Sequence, residues 1–268
     1  MIPNILSIAG SDPSGGAGIQ ADIKAISARG GYAMAALTAL TAQNTRGVSG
    51  VQMVAPELVA DQIAAIRADI QIHAVKIGML GTAQIIAAVA QALDGLDAPI
   101  VLDPVMVAKG GDRLLAADAV AALRDTLLPM ASVLTPNLPE VADLLGCQPA
   151  ATLDDMAAQA QALRALGAQA VLMKGGHLAE ESSPDLLISA NGTTELPGPR
   201  HATRNTHGTG CSLSAALACE LGHAHALAHA AARAKHWLSG AIAAADTLSV
   251  GSGHGPVHHF HNMKEAAK

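Results

Sequence analysis

Ser132-Val133-Leu134-Thr135-Pro136-Asn137-Leu138-Pro139-Glu140 contains the unit that decides the fold. A short apolar, β-branched run passes through a Thr-Pro turn directly into a stretch of helical period, 138–145. The same succession recurs along the chain. Strands are expected near residues 4–9, 36–41, 74–77, 100–102, 132–135 and 170–173, and helices near 18–29, 56–69, 82–93, 116–127, 138–145, 153–166, 211–221 and 227–245. Strands alternating with helices of this length predict βαβ units and a mainly parallel sheet. Residues 184–204, with Pro197-Gly198-Pro199, break the alternation and predict a short antiparallel excursion. At 268 residues, half of them apolar, the chain is expected to form one domain over 1–268.

Composition narrows the function. A net charge of −6 argues against a surface built to neutralise nucleic-acid phosphates, so no DNA or RNA partner is expected. No apolar run approaches the ~20 residues that cross a bilayer. The apolar start lacks a basic flank and runs into Gly10-Ser11-Asp12, unlike a signal peptide. Cys147, Cys211 and Cys219 form no paired framework, which fits a reducing cytoplasm. With three aromatic residues, Tyr32, Trp237 and Phe260, the core must be built from Ala, Leu, Val, Ile and Met.

Ligands of open parallel sheets bind beyond the carboxyl ends of the strands. Here those ends carry Asp103-Pro104, Asn137 with Glu140, Lys174-Gly175-Gly176, and the glycine-rich run Gly10–Gly18. Each feature alone is commonly a cap or a turn. Together, two carboxylates, an amide and a lysine are the parts that hold Mg²⁺ and a polyphosphate. Thr206-His207-Gly208-Thr209-Gly210-Cys211 reads as a glycine turn opening a helix, whose unpaired N–H groups and dipole suit an anion. There is no Gly-x-x-x-x-Gly-Lys-Ser/Thr, so this is not a P-loop enzyme. Gly16-Ala17-Gly18-Ile19-Gln20-Ala21 satisfies a loose dinucleotide fingerprint, but no acidic residue ends the next strand to hold a ribose. His225 and His229, at i and i+4, have zinc-chelating spacing, yet the carboxylates of interest lie elsewhere.

Six ordered motifs carry a resemblance: residues 9–22, Ala42-Gln43-Asn44-Thr45-Arg46-Gly47, Lys76-Ile77-Gly78-Met79-Leu80, 135–140, Met173-Lys174-Gly175-Gly176-His177 and 207–211. They resemble the hydroxymethylpyrimidine/phosphomethylpyrimidine kinases of thiamine biosynthesis, over nearly the whole chain, including the ending 255–261. The resemblance implies a ribokinase-like three-layer α/β/α sandwich without a separate lid domain, acting as a cytoplasmic homodimer. It implies two phosphorylations by Mg-ATP, of a hydroxymethylated aminopyrimidine and then of its monophosphate. Carried onto this chain, Gln43 would read the aminopyrimidine edge, Gly10, Ala17, Met79 and Val105 would line the ring's slot, and Asp22 would lie nearby. Asp103 and Glu140 would serve the metal, and Lys174, Asn137 and Thr209 the nucleotide phosphates. Catalysis would fall to Lys174, the backbone of Gly208 and Gly210, and Cys211, a thiol expected to be partly ionised by the helix N-terminus. A pyridoxal kinase of the same superfamily, or a non-catalytic pyrimidine-binding protein, are the competing readings. Residues 107–112, with Gly110-Gly111, are a candidate flap.

Overall fold

The computed structural model describes residues 1–106, 115, 117–178 and 182–263. In chain order the strands are β1 (Asn4–Ala9), β2 (Tyr32–Leu37), β3 (Ala39–Asn44), β4 (Gly47–Met53), β5 (Ala74–Ile77), β6 (Ile100–Leu102), β7 (Val133–Leu134), β8 (Val171–Lys174), β9 (Asp185–Ser189) and β10 (Gly192–Leu196). The helices are α1 (Gly18–Ala28), α2 (Pro56–Asp69), α3 (Ala83–Leu93), α4 (Ala117–Ala122), α5 (Leu138–Leu145), α6 (Leu153–Ala165), α7 (Thr209–Gly222) and α8 (Leu227–Ala243).

Eight strands form one sheet in the order β10-β9-β8-β7-β6-β5-β1-β2. The first six in sequence that belong to it are parallel, and β9 and β10 close one edge antiparallel, as residues 184–204 predicted. Side chains alternate across the sheet. Leu6, Ile8, Val75, Ile77, Leu102, Leu134 and Met173 enter a core shared with α2, α3, α4, α5 and α6. Ile5, Ala74, Val101, Val133 and Leu172 face α1, α7 and α8. The result is the three-layer α/β/α sandwich expected.

β1 lies between β2 and β5, so the winding direction reverses there. That reversal parts the loops leaving β1 and β5 and opens a crevice at their carboxyl ends. Helix α7 is buried on every side from Ser212 to Glu220, with Ala215, Ala216 and Ala218 allowing close approach to the sheet. Its N-terminus is thereby held rigidly over the crevice.

Two expectations are corrected. The single strand predicted at 36–41 splits at Thr38, whose N–H donates to the Ala9 carbonyl and whose hydroxyl donates to the Met79 carbonyl. β2 ends in the sheet, and β3 leaves it to pair with β4 as a separate antiparallel hairpin. Gly47 and Gly50 gave β4 too little β-propensity to read as a strand. The helix predicted at 116–127 passes from α4 into a wide π turn over Leu123–Leu127. The candidate flap at 107–112 lies outside the described residues. Among the described residues, no helix is long and apolar enough to cross a membrane.

Candidate active site

A cleft of about 680 Å³ opens at the carboxyl ends of β1, β5, β6 and β8, roofed by the β3–β4 hairpin and bounded by the N-terminus of α7. Every site residue expected from sequence lines it except Asp22.

One group of contacts is charged. Lys174, at the end of β8, donates to Asp103 Oδ1 at 2.8 Å and lies 3.8 Å from Glu140 Oε2. Thr135 and Ser214 also donate to Asp103, at 3.1 and 3.4 Å. Glu140 accepts the Asn137 N–H at 2.7 Å while Asn137 Oδ1 accepts the Glu140 N–H at 2.9 Å, a reciprocal cap of α5. Burial, opposed by Lys174 but reinforced by the charge of Asp103, pushes Glu140 up to about 7. A second cation would relieve both carboxylates, and two carboxylates facing an open cleft are the donor set Mg²⁺ takes when phosphates and water complete its shell. Asp103 and Glu140 therefore fit that ion.

The second group is the start of α7. Gly208 caps it at φ 77°, and a Cβ there would fall 1.7 Å from the Gly16 carbonyl oxygen, so only glycine fits. A Cβ on Gly210 would point 3.3 Å from Lys174 Nζ and 3.5 Å from Asp103 Oδ2. The first turn of α7 thus opens directly onto the lysine. Burial works against the partly ionised Cys211 expected from sequence. Burial pushes the thiol up to about 11; Lys76 favours the thiolate, whereas Asp22 and Asp103 oppose it. Desolvation of a charge outweighs what a helix N-terminus offers.

The third group surrounds Asp12. Its carboxylate accepts the N–H groups of Ser14, Gly16 and Ala17, the Ser14 hydroxyl, and His207 Nε2 at 2.8 Å. Burial alone would raise this carboxyl, but hydrogen bonds from His207, Ser14 and Ala17 hold it at about 2. Gln43 comes from the hairpin, where the register slips between Ala42 and Gln43 and re-aims the side chain. Its Oε1 lies 3.2 Å from Thr41 Oγ1 and its Nε2 3.5 Å from His207 Nε2. Gly10 packs against Met79, the sulfur lying 3.2 Å from where a Cβ would stand.

The model of the phosphomethylpyrimidine kinase family matches residues 12–258. The chain belongs to this family. It is 53% identical to the Escherichia coli hydroxymethylpyrimidine/phosphomethylpyrimidine kinase over 259 residues, covering 96% of this chain and 97% of the relative. Among solved structures, the phosphomethylpyrimidine kinase of Clostridium difficile superposes with a TM-score of 0.80 at 38% identity, covering 90% of this chain and 99% of that one. An ADP complex of Bacillus subtilis pyridoxal kinase superposes with a TM-score of 0.89 at 36% identity, covering 97% and 98%.

In this chain, Asp22 stands behind the cleft rather than in it. It is fully buried and accepts from Lys76 Nζ at 2.8 Å and Ser7 Oγ at 2.6 Å, from strands β5 and β1. Burial disfavours the Lys76 ammonium, but the adjoining carboxylate pushes its pKa up. Sequence reasoning assigned no role to Asp12 or His207. Asp12 sits in a loop whose glycines drew the reading toward phosphates, and nothing local shows that His207, far along the chain, returns to it. The terminal histidines pack: His259 meets Ser212 Oγ at 2.9 Å beside Trp237, one residue past Cys211.

Proposed function

We propose that this chain phosphorylates the hydroxymethyl group of 4-amino-5-hydroxymethyl-2-methylpyrimidine with ATP, and then phosphorylates the resulting monophosphate, within thiamine biosynthesis. The observation that carries this is the meeting, in one cleft, of the Gln43 amide with the Lys174–Asp103–Glu140 cluster and the first turn of α7. An amide supplies a donor and an acceptor side by side, which is what an aminopyrimidine edge presents in complement.

Phosphoryl transfer asks mainly for positioning and charge stabilisation. Lys174 would balance the charge on the phosphates, and backbone N–H groups from Gly208 to Cys211, Gly208 and Gly210 among them, would donate to the group in transfer. Asp103 and Glu140 would hold Mg²⁺, which when bound screens phosphate charge as a Lewis acid. Cys211 assists the first transfer, which begins from an alcohol; the second begins from a phosphate monoester, already an anionic nucleophile. Cys211→Ser is therefore expected to slow the first step more than the second, and equal slowing would assign the thiol to packing.

The same reading makes the protein a cytoplasmic homodimer. Its free thiols fit a reducing compartment, and Leu40 and Val51 of the hairpin are exposed apolar residues suited to a partner copy. Sedimentation at micromolar concentration tests the dimer.

The superposition on a pyridoxal kinase favours one second reading, in which the acceptor is pyridoxal. Product analysis with Mg-ATP and each acceptor separates them. A pyrimidine diphosphate is expected, and exclusive turnover of pyridoxal would reverse the assignment.

A further inference from the structure

Gln43 lies between two groups whose hydrogens are already committed. Thr41 Oγ1 has one hydrogen and stands 2.8 Å from the Ser11 carbonyl, which can only accept, so the hydroxyl donates there. The same hydroxyl stands 3.2 Å from Gln43 Oε1 but, with its one hydrogen spent at the shorter contact, offers that oxygen only lone pairs. On the other side, His207 Nε2 is 2.8 Å from the Asp12 carboxylate, which also can only accept, so Nε2 carries a hydrogen. Gln43 Nε2, itself a donor and 3.5 Å from that nitrogen, faces its N–H. Both neighbours make the same demand: the amide oxygen belongs toward His207 and the amide nitrogen toward Thr41. With Oε1 toward Thr41 and Nε2 toward His207, as the structure has them, lone pair faces lone pair and donor faces donor, and a half-turn of the terminal torsion relieves both contacts.

His207 is itself closely held. Its backbone N–H donates to the Gly255 carbonyl at 3.0 Å, and a Cβ on Gly16 would strike its ring at 2.3 Å. Asp12, besides His207, holds three backbone N–H groups of the β1–α1 loop, so it cannot turn away without releasing them. The ring next precedes Gly208, the cap of α7.

We propose that Asp12 and His207 form a positioning relay that sets the orientation of the Gln43 amide, and with it the register in which the acceptor ring's edge is read. The cleft end of the amide presents its remaining N–H and lone pair in a fixed order. A ring bound in that order aims its hydroxymethyl group one way; the reversed order turns it over. His207 is thus a specificity-determining residue that acts through Gln43.

The proposal rests on the aminopyrimidine reading, and a double-mutant cycle on direct binding of 4-amino-5-hydroxymethyl-2-methylpyrimidine, without nucleotide, tests the two separately. Gln43→Ala and His207→Ala are each expected to weaken binding roughly tenfold, the effect of about 1.4 kcal/mol. The double variant should bind within about twofold of Gln43→Ala, because removing the amide removes what His207 orients. His207→Gln, which keeps an N–H within reach of Asp12, should restore most of the affinity. Where His207→Ala does not fold, His207→Asn, too short to reach Asp12, takes its place in the cycle. Additive losses, or a His207→Gln variant as weak as His207→Ala, would overturn the relay alone. Absence of binding by the native protein, or no effect of Gln43→Ala, would overturn the aminopyrimidine reading and the relay with it.

Discussion

Breaking the buried pair between Lys76 and Asp22 provides a test with a worked magnitude. Neither side chain has any exposed surface, and Nζ and Oδ2 are 2.8 Å apart. Asp22 Oδ1 has no hydrogen-bond partner among the described residues, so the carboxylate depends on Lys76 and Ser7. In Lys76→Met the stranded Asp22 can escape its charge by taking a proton. From an ordinary value near 3.9, that costs about 4 kcal/mol at pH 7. In Asp22→Asn the stranded Lys76 can lose its proton, which from an ordinary value near 10.4 costs about 4.5 kcal/mol. Both agree with the ~3–5 kcal/mol typical of a broken buried pair. In a chain of this length that lowers the melting temperature by about 6–20 °C.

The pH dependence identifies the cause. In Lys76→Met the folded-state pKa of Asp22 is raised, so the penalty is absent below pH ~4 and grows by about 1.4 kcal/mol per pH unit above it, until the folded-state pKa is reached. In Asp22→Asn the folded-state pKa of Lys76 is lowered, so the penalty is absent above pH ~10 and grows by about 1.4 kcal/mol per pH unit as pH falls, until the folded-state pKa is reached. Combining the two substitutions removes both charges and should recover most of the loss. Urea unfolding followed by circular dichroism from pH 5 to 10 measures each term. Losses below about 1 kcal/mol, or two penalties with the same slope against pH, would refute the electrostatic account.

Further outcomes are expected at the cleft. Gly208→Ala places a Cβ 1.7 Å from the Gly16 carbonyl at a left-handed φ, so the first turn of α7 must shift; turnover should fall at least roughly tenfold, and native-like turnover would show the turn is not held as described. Lys174→Ala should reduce turnover by on the order of 100-fold or more while pyrimidine binding, measured by calorimetry, persists. Because burial pushes Cys211 up to about 11, alkylation of this thiol in the ligand-free protein should be slow at pH 7 and rise steeply above pH 9; peptide-resolved mass spectrometry that found fast labelling at pH 7 would contradict it.

Much of the fold and cleft was legible because local chemistry determined it. Runs such as 132–135 and 170–173 are strands buried on both faces, so they read as short apolar bursts, and the alternation with helices named the parallel sheet. Asp103, Asn137, Glu140, Lys174 and Gly208–Cys211 were found because each ends a strand or opens a helix. The hairpin β3–β4 was missed because it is half exposed, glycine-containing and outside the sheet, so no periodicity marks it. The burial that opposes ionisation of Cys211 was not legible, because a helix N-terminus is visible in sequence and the depth of burial is not.

Sequence alone therefore determined the layered α/β/α architecture, the charged strand ends and the glycine turn at α7, features set within a few residues of each other. Tertiary structure decided which distant groups meet. It carried Asp22 out of the cleft and under it, joined to Lys76 from a strand over fifty residues away, and brought His207 back onto Asp12 and Gln43. The physical reason is that a side chain's charge and hydrogen-bond partners depend on what the fold packs against it, and burial reverses what an isolated helix end or carboxylate would do in water.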